Sequence, residues 1–379
     1  MKKIFAFLMA VLLILPTSVA AQAPEDAALE QEKGQAVIDA AAQMTFPADN
    51  SDVQMRCPVC EEVVTWLAWG VDAEINTRDN RYLENRHLYL TSDFIGTQID
   101  DPKTNTWGWV FSTGNANEHS VIHLNGKTLK AAQGGIACFD GEVNVIGDGY
   151  VWGNRGTNED FSANLDAGEG GVLNVYGGTY YKTANQPLLQ VNGAGSTFNL
   201  YGGKLEGNDA KTAGTVTVEA GGSFFVYGGI VENGYLSTDG DTLLVSPTAT
   251  AAIYGGTVSG GKDSSGGNIF VSGTLEIHGG TINGAVKTGE GQLIVTGGKL
   301  DSVVTGENIT IQGGSFSTNI TRYVPEGVQL RQKDGWYTVG AAAKLDLTWL
   351  WLAIAGAAVL AAVLVPVLII TIKKKKQNG

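Results

Sequence analysis

The sequence predicts an all-β protein, a parallel β-helix solenoid with an N-terminal helical or capping segment and one C-terminal transmembrane helix. Three observations predict this fold. Glycine accounts for 52 of 379 residues, far above its usual share. Seven Gly-Gly pairs recur in the middle of the chain, each after a short stretch of alternating apolar and polar residues. Hydrophobic residues make up 43% of the chain and charged residues 17%, so disorder is excluded and a core can form.

The charge of the chain excludes one class of partner. The formal net charge is −13, and the lysine-rich ends contain no acid, so the middle of the chain is more acidic still. An acidic body repels the phosphates of nucleic acid. We therefore expect no nucleic-acid binding.

The first 23 residues are typical of a secretory signal peptide. Lys2 and Lys3 precede an apolar run from Ile4 to Leu15, and small residues follow up to Ala23. The alternative is an N-terminal core helix. Residues 24–56 are predicted as a helical segment, because the stretch from Glu25 to Met44 is rich in Ala, Glu and Gln. That segment either covers the end of the solenoid or acts as a tether.

Residues 121–319 carry the repeat. The Gly-Gly pairs are spaced 16 to 27 residues apart and begin at Gly177, Gly202, Gly228, Gly255, Gly279, Gly297 and Gly313. Short strands with glycine corners at this period predict one coil per unit, with coils stacked about 4.8 Å apart. The alternative, a β-sandwich, is disfavoured because most strands lack Asn-Gly or Asp-Gly hairpin signals between them.

The end of the chain predicts a cap and an anchor. Residues 320–340 contain a hairpin signal at Lys333-Asp334-Gly335 and are predicted to cover the last coil. Residues 347–372 are almost wholly apolar and long enough to span a bilayer, with Trp349 at the outer edge. Residues 373–379 begin with four lysines, which predict a cytoplasmic tail. We therefore expect a single-pass cell-membrane protein whose body is extracellular.

Several motifs carry a family resemblance. Cys57-Pro58-Val59-Cys60, Thr65–Trp69, His87–Thr91 and Val121–Lys127, together with Ile311–Ile320 and Asp334–Val339 near the end, resemble adhesin-like surface proteins of anaerobic Gram-positive gut bacteria. The resemblance covers most of 57–339. It implies a right-handed parallel β-helix of the pectin-lyase-like kind and a cell-surface location. The chain departs from these proteins where a membrane helix replaces their wall-anchoring signals.

The residue before each Gly-Gly pair is a candidate binding residue. Alternation places this position on the outer face of the solenoid, so coils in register would form an exposed ladder of aromatic rings. Such rings suit sugars, and the candidate ligand-binding residues are Tyr176, Tyr201, Tyr227, Tyr254 and His278. The alternative is that the stacked side chains only cover the outer face and stabilise neighbouring strands.

Three cysteines, an odd number, form a candidate metal site. Residues 57–120 are predicted as an N-terminal capping region. They open with Cys57 and Cys60 in a Cys-x-x-Cys arrangement, which can form half of a zinc site. Cys138, with His87 or His123, could complete it. The alternatives are a local disulfide, a redox pair, or a Cys138 that is an ordinary core residue. Otherwise no cofactor is expected.

The sequence favours a non-catalytic protein that binds glycans or cell-envelope partners. The first alternative is a polysaccharide lyase or glycoside hydrolase, and the second is a structural or assembly subunit at the cell surface. Neither acidic cluster has a convincing catalytic spacing: one comprises Asp148, Arg155, Asp160 and Asp166, and the other Asp239 and Asp241.

Overall fold

The computed structural model describes residues 24–70, 83–95, 109–131, 134–153, 163–182, 186–207, 214–233, 241–260 and 269–340. The predicted signal peptide (1–23), transmembrane span (347–372) and tail (373–379) lie outside these residues. Within the described ranges, no helix is both long and apolar enough to cross a membrane.

Three long, mainly parallel sheets surround one core, which confirms the predicted parallel β-helix. Sheet A has twelve strands. They are β1 (Val53–Arg56), β2 (Val63–Trp69), β3 (His87–Leu90), β6 (His119–His123), β9 (Glu142–Ile146), β12 (Val172–Val175), β15 (Thr197–Leu200), β18 (Ser223–Val226), β21 (Thr250–Ile253), β24 (Thr274–Ile277), β27 (Gln292–Val295) and β30 (Ile309–Ile311).

Sheet B has nine strands and sheet C has twelve. Sheet B contains β5 (Trp109–Thr113), β8 (Gly134–Phe139), β11 (Leu165–Gly168), β14 (Leu189–Val191), β17 (Val216–Val218), β20 (Leu243–Val245), β23 (Ile269–Val271), β26 (Val286–Thr288) and β29 (Val304–Thr305). Sheet C contains β4 (Phe94–Ile95), β7 (Thr128–Ala131), β10 (Tyr150–Gly153), β13 (Thr179–Lys182), β16 (Lys204–Glu206), β19 (Ile230–Glu232), β22 (Thr257–Ser259), β25 (Thr281–Asn283), β28 (Lys299–Asp301), β31 (Gly314–Phe316), β32 (Gln329–Lys333) and β33 (Trp336–Gly340).

Each turn of the solenoid passes through sheets A, C and B in that order, and the Gly-Gly pairs form the corner between A and C. The two glycines of a pair have different roles. A Cβ on Gly228 would lie 2.3 Å from the carbonyl oxygen of Tyr201 in the preceding turn, so the backbones approach too closely for any side chain. Gly229 has φ +74°, a left-handed conformation that favours glycine. This geometry explains why the pair recurs once per coil.

The strands alternate as the sequence predicts. In β15 and β18, Phe198 and Phe224 point inward and are fully buried, and their ring centroids lie 5.8 Å apart. The same alternation in all three sheets builds one interior apolar cluster that extends from Trp69 to Val339. The residues between these inward positions face outward and form columns along each sheet, because the coils are in register.

Both ends of the solenoid carry antiparallel strands. At the C-terminal end, β32 and β33 form an antiparallel hairpin around Lys333-Asp334-Gly335, and β33 pairs antiparallel with β31. At the N-terminal end, helix α1 (Pro24–Ala41) is followed by β1, which pairs antiparallel with β2. The helix is therefore shorter than the predicted segment 24–56, because Val53–Arg56 alternates and completes the edge of sheet A. The right-handed sense of the coil stays a prediction.

Candidate functional sites

The residues before the Gly-Gly pairs form a stacked column on the outer face of sheet A. Consecutive rings in the series Tyr176, Tyr201, Tyr227, Tyr254 and His278 lie 4.6, 4.9, 5.3 and 5.0 Å apart between centroids. The rings are nearly parallel, with interplanar angles of 3° to 9°. We call this column the aromatic ladder. Its regularity follows from the register of the coils.

Helix α1 lies along the aromatic ladder and covers its tyrosines. Small residues at seven-residue intervals face the rings. Ala27 is 2% exposed and packs with Tyr227 and Tyr254. Gly34 lies so close to Tyr201 that a Cβ on this glycine would be 2.3 Å from Cδ1 of the ring. Ala41 is also 2% exposed. Residues seven apart lie on one face of a helix, so this spacing lets the backbone of α1 approach flat rings closely. Tyr227 is consequently only 6% exposed.

Polar contacts hold α1 in place. The Tyr201 hydroxyl donates a hydrogen bond to the Glu30 carboxylate over 3.2 Å, and Nε2 of Gln31 donates to the carbonyl oxygen of Tyr227 over 2.8 Å. Burial raises the pKa of Tyr201 and of Tyr227 well above the ordinary tyrosine value. The ladder therefore serves as the docking surface for α1, and its predicted sugar binding stays a prediction that requires the helix to move away.

A second outward column, not predicted from the sequence, runs beside the ladder. Nδ2 of Asn174 donates to Oδ1 of Asn144 over 3.0 Å, and Nδ2 of Asn199 donates to Oδ1 of Asn174 over 2.7 Å. Glu142 accepts further hydrogen bonds at the end of this column. The signal was the repeated Asn-x-Tyr before Gly-Gly. This column ties neighbouring coils together.

Two of the three cysteines meet a histidine at the N-terminal end of sheet A. Cys57 and Cys60 lie in the turn between β1 and β2, and His87 begins β3, which pairs with β2. The two Sγ atoms and a ring nitrogen of His87 all lie within 4.8 Å of one another. Sγ of Cys60 is 3.6 Å from Nε2 of His87. These three side chains could hold a metal ion.

The environment differs among these side chains. Burial raises the pKa of the Cys57 thiol to about 11, and burial also lowers the pKa of His87. Cys60 is exposed, so the group opens to solvent on one side. His87 is consequently neutral at physiological pH, which leaves a ring nitrogen free to bind a cation.

Cys138 and His123 lie away from this group. Cys138 is buried in the interior cluster, where its Sγ contacts the carbonyl oxygens of Asp140 and Gly141, each at 3.4 Å. Nε2 of His123 is 3.1 Å from the carbonyl oxygen of Ala41. The structure therefore brings together Cys57, Cys60 and His87 but not the predicted set with Cys138, because β8 places that side chain inside the solenoid.

Sheet C presents an aromatic patch that was not predicted from the sequence. We define it by Tyr150, Trp152 and Tyr181, which point outward from the adjacent strands β10 and β13. Tyr150 is 55% exposed, and the rings of Trp152 and Tyr181 meet edge to face at 5.7 Å. Nζ of Lys130 lies 4.1 Å from the centroid of the Trp152 ring. The signal was the outward position of aromatic residues in successive units.

Charged side chains continue the same face beyond the aromatic patch. Nζ of Lys204 lies 3.0 Å from the Glu206 carboxylate and 2.6 Å from the Glu232 carboxylate. Ile230, which is paired with Lys204 in the register of β16 and β19, is 39% exposed. Sheet C therefore combines flat apolar surfaces with donors and acceptors on neighbouring coils.

A buried acid lies on the outer side of sheet B. Asp166 accepts a hydrogen bond from Nδ2 of Asn192 over 3.0 Å and is 6% exposed. Burial, with the nearby Glu219, raises the pKa of Asp166 to about 7. Burial lowers the pKa of Lys182 to about 7. Of the other acidic candidates, Asp148 lies at a different corner of the solenoid, while Arg155, Asp160 and Asp239 lie outside the described residues.

Comparisons with known families, curated proteins and solved structures find no match to this chain. The class of protein therefore follows from its own geometry. It is a parallel β-helix protein, an architecture consistent with the pectin-lyase-like fold and with adhesin-type extracellular proteins in general. The resemblance to adhesin-like proteins of gut bacteria stays a prediction.

Proposed function

We propose that this protein is a membrane-anchored, non-catalytic surface protein that binds glycans through the aromatic patch of sheet C. The observation that carries the proposal is the outward-facing group of Tyr150, Trp152 and Tyr181 on neighbouring strands, in which Tyr150 is 55% exposed and the other two side chains are partly buried. Aromatic faces with polar rims suit the apolar faces of sugar rings. Secretion and anchoring are inferred from residues 1–23 and 347–372 of the sequence.

The charges around the patch favour a particular class of glycan. Glu206 and Glu232 follow the aromatic patch on the same face, and the whole chain has a formal net charge of −13. A polyanionic chain such as pectate would be repelled by this field. Neutral glycans, which can accept hydrogen bonds from Lys130 or Lys204 and donate to the glutamates, are therefore the expected ligands.

A glycan array tests the proposal with two matched tryptophan variants. Trp152→Ala is expected to lower affinity for an identified neutral glycan about 30-fold, because loss of a central aromatic anchor costs about 2 kcal/mol. Trp336→Ala is the control, since Lys299 also lies over its ring, at 4.8 Å, but at the far end of sheet C. Binding that is absent for the native protein, or equal in both variants, would contradict the proposal.

Degradation of polysaccharides is a second candidate function, favoured by one observation. Burial moves the pKa values of Asp166 and Lys182 toward neutrality, and such shifts often mark catalytic acids and bases. Both side chains are nearly inaccessible to solvent in the structure, at 6% and 2% exposure. Incubation with pectins and host glycans would support this function if new reducing or unsaturated ends appeared and Asp166→Asn abolished them.

A further inference from the structure

We propose that Cys57, Cys60 and His87 bind one zinc ion at the N-terminal end of sheet A. Two thiol groups and one imidazole are soft and borderline donors, which zinc prefers over the oxygen donors that calcium and magnesium require. Binding exchanges two thiol protons, which pass to the solvent, for the metal ion. No change of oxidation state is involved.

The spacing of the donor atoms fits the size of a zinc ion. Zinc lies about 2.3 Å from sulfur and about 2.0 Å from nitrogen in tetrahedral sites, so neighbouring donors are about 3.5 to 3.8 Å apart. Sγ of Cys60 and Nε2 of His87 are 3.6 Å apart. All three donors lie within 4.8 Å of one another, so only small side-chain movements would complete the site.

The backbone holds the thiols in position before any metal binds. The backbone N–H of Glu61 donates to the carbonyl oxygen of Cys57 over 2.9 Å, and the N–H of Cys57 donates to the carbonyl oxygen of Glu62 over 2.8 Å. These two hydrogen bonds close the turn between β1 and β2. The N–H of Val59 also points at Sγ of Cys57, 3.4 Å away, where it would stabilise a thiolate. A preformed turn lowers the entropy lost on binding.

The fourth ligand must be an oxygen atom. The chain contains three cysteines and four histidines, and every one of them lies among the described residues. The other three histidines have contacts elsewhere: His119 with Glu142, His123 with Ala41 and His278 with Glu276. Since Cys60 is exposed, water can complete the coordination from the solvent side.

The site would connect the turn between the antiparallel strands β1 and β2 to the parallel strand β3 of the solenoid. Cys57 and Cys60 belong to the turn of the only antiparallel pair found at the described N-terminal end of sheet A, whereas His87 belongs to the parallel stack. A metal bond between them closes the chain segment from Cys60 to His87. The zinc is therefore expected to stabilise the N-terminal end against local unfolding.

Metal analysis of the full-length chain tests the site. The protein is purified in mild detergent under reducing conditions without chelator, and its zinc content is measured by mass spectrometry. One zinc per chain is expected in the native protein and in His119→Ala, a control at an exposed histidine. Cys60→Ser and His87→Ala are expected to bind zinc at least about tenfold more weakly.

A second measurement uses only the native chain, so that it does not depend on variants that fold. Zinc is removed with a chelator and cobalt is added, and a thiolate-to-cobalt charge-transfer band in the absorption spectrum supports the site. A lower unfolding midpoint of the metal-free protein than of the zinc-bound protein supports it as well. A native chain with reduced thiols that binds neither metal overturns the proposal. A disulfide between Cys57 and Cys60 in the native chain, seen as a mass two hydrogens below that of the reduced chain, also overturns it. Undiminished zinc binding by folded Cys60→Ser and His87→Ala overturns it as well.

Discussion

The contact between α1 and the aromatic ladder can be broken at one residue. Gly34 faces Tyr201, and a Cβ placed on this glycine would lie 2.3 Å from Cδ1, 2.8 Å from Cγ and 3.0 Å from Cβ of that tyrosine. Ordinary carbon contacts are about 3.5 to 4.0 Å. The Tyr201 ring cannot turn aside, because it is stacked between Tyr176 and Tyr227. The helix would therefore have to retreat by more than about 1 Å.

Helix propensity and steric overlap with Tyr201 act in opposite directions when Gly34 is replaced, and together they decide whether α1 stays docked. Replacing glycine inside a helix by alanine or leucine favours the helix by about 0.8 to 1 kcal/mol. Overpacking a close contact typically costs about 1 to 3 kcal/mol and occasionally more, and a leucine adds a much larger side chain than an alanine does. For Gly34→Ala the steric cost already outweighs the gain in helix propensity, because the added Cβ would lie 2.3 Å from Cδ1 of Tyr201. For Gly34→Leu the steric cost is larger, so α1 is expected to leave the ladder although its intrinsic helix propensity improves.

Hydrogen exchange and trypsin sensitivity measure whether α1 is docked. Gly34→Leu is expected to accelerate exchange across Pro24–Ala41 by at least about tenfold, the equivalent of about 1.4 kcal/mol, and to accelerate cleavage after Lys33. The pKa of Tyr201, which burial raises, is expected to fall toward the ordinary value. The control is Glu32→Ala on the exposed side of the helix. Unchanged protection in Gly34→Leu, or equal loss in Glu32→Ala, would refute the reasoning.

Three further substitutions test the fold and its charges. Gly228→Ala is expected to lower the unfolding midpoint, because its Cβ would lie 2.3 Å from a backbone oxygen. Gly340→Ala is the control, because a Cβ at this position has no neighbour within 4 Å, and equal midpoints in the two variants would contradict the account. Asp241→Asn is expected to stabilise the protein at about pH 7 but not at about pH 4. Burial raises the pKa of Asp241 to about 6, so the folded state holds a proton that the unfolded state releases at lower pH. The native protein therefore loses stability as the pH rises from about 4 to about 6, and the asparagine avoids this loss. A stability gain that does not change with pH would oppose that cause. Lys204→Met is expected to cost less than about 1 kcal/mol, and less still in high salt, since its contacts with two glutamates are partly exposed; a salt-independent loss would point to packing instead.

The repetitive parts of the fold were predictable because each coil repeats the same local constraints. Gly-Gly pairs such as Gly228-Gly229 mark corners where one position excludes a side chain and the next needs positive φ. Alternation in Phe198-Asn199-Leu200 places one side chain in the core, the next outside and the third in the core again. Alternation likewise predicts that the aromatic ladder faces outward from sheet A, but not that α1 buries Tyr227 and Tyr254.

The surroundings of the sites were not predictable from these constraints. Helix α1 covers Tyr227 through a contact between residues about two hundred positions apart in the sequence. The seven-residue spacing of Ala27, Gly34 and Ala41 indicates that one face of the helix is an interface, but it does not indicate which surface that face contacts. Likewise, Cys-x-x-Cys spacing indicates a metal ligand pair, but only the pairing of β2 with β3 brings His87 to it. The inward direction of Cys138 depends on the register of sheet B.

Calorimetric titration with a neutral glycan that binds the native protein tests the central claim most directly, because two variants separate the two aromatic surfaces. If the patch on sheet C is the binding site, Trp152→Ala loses about 30-fold in affinity while Gly34→Leu binds as the native protein does. If the aromatic ladder is the site instead, Trp152→Ala binds normally and Gly34→Leu, which exposes Tyr201 and Tyr227, binds more tightly. That second result would contradict the account.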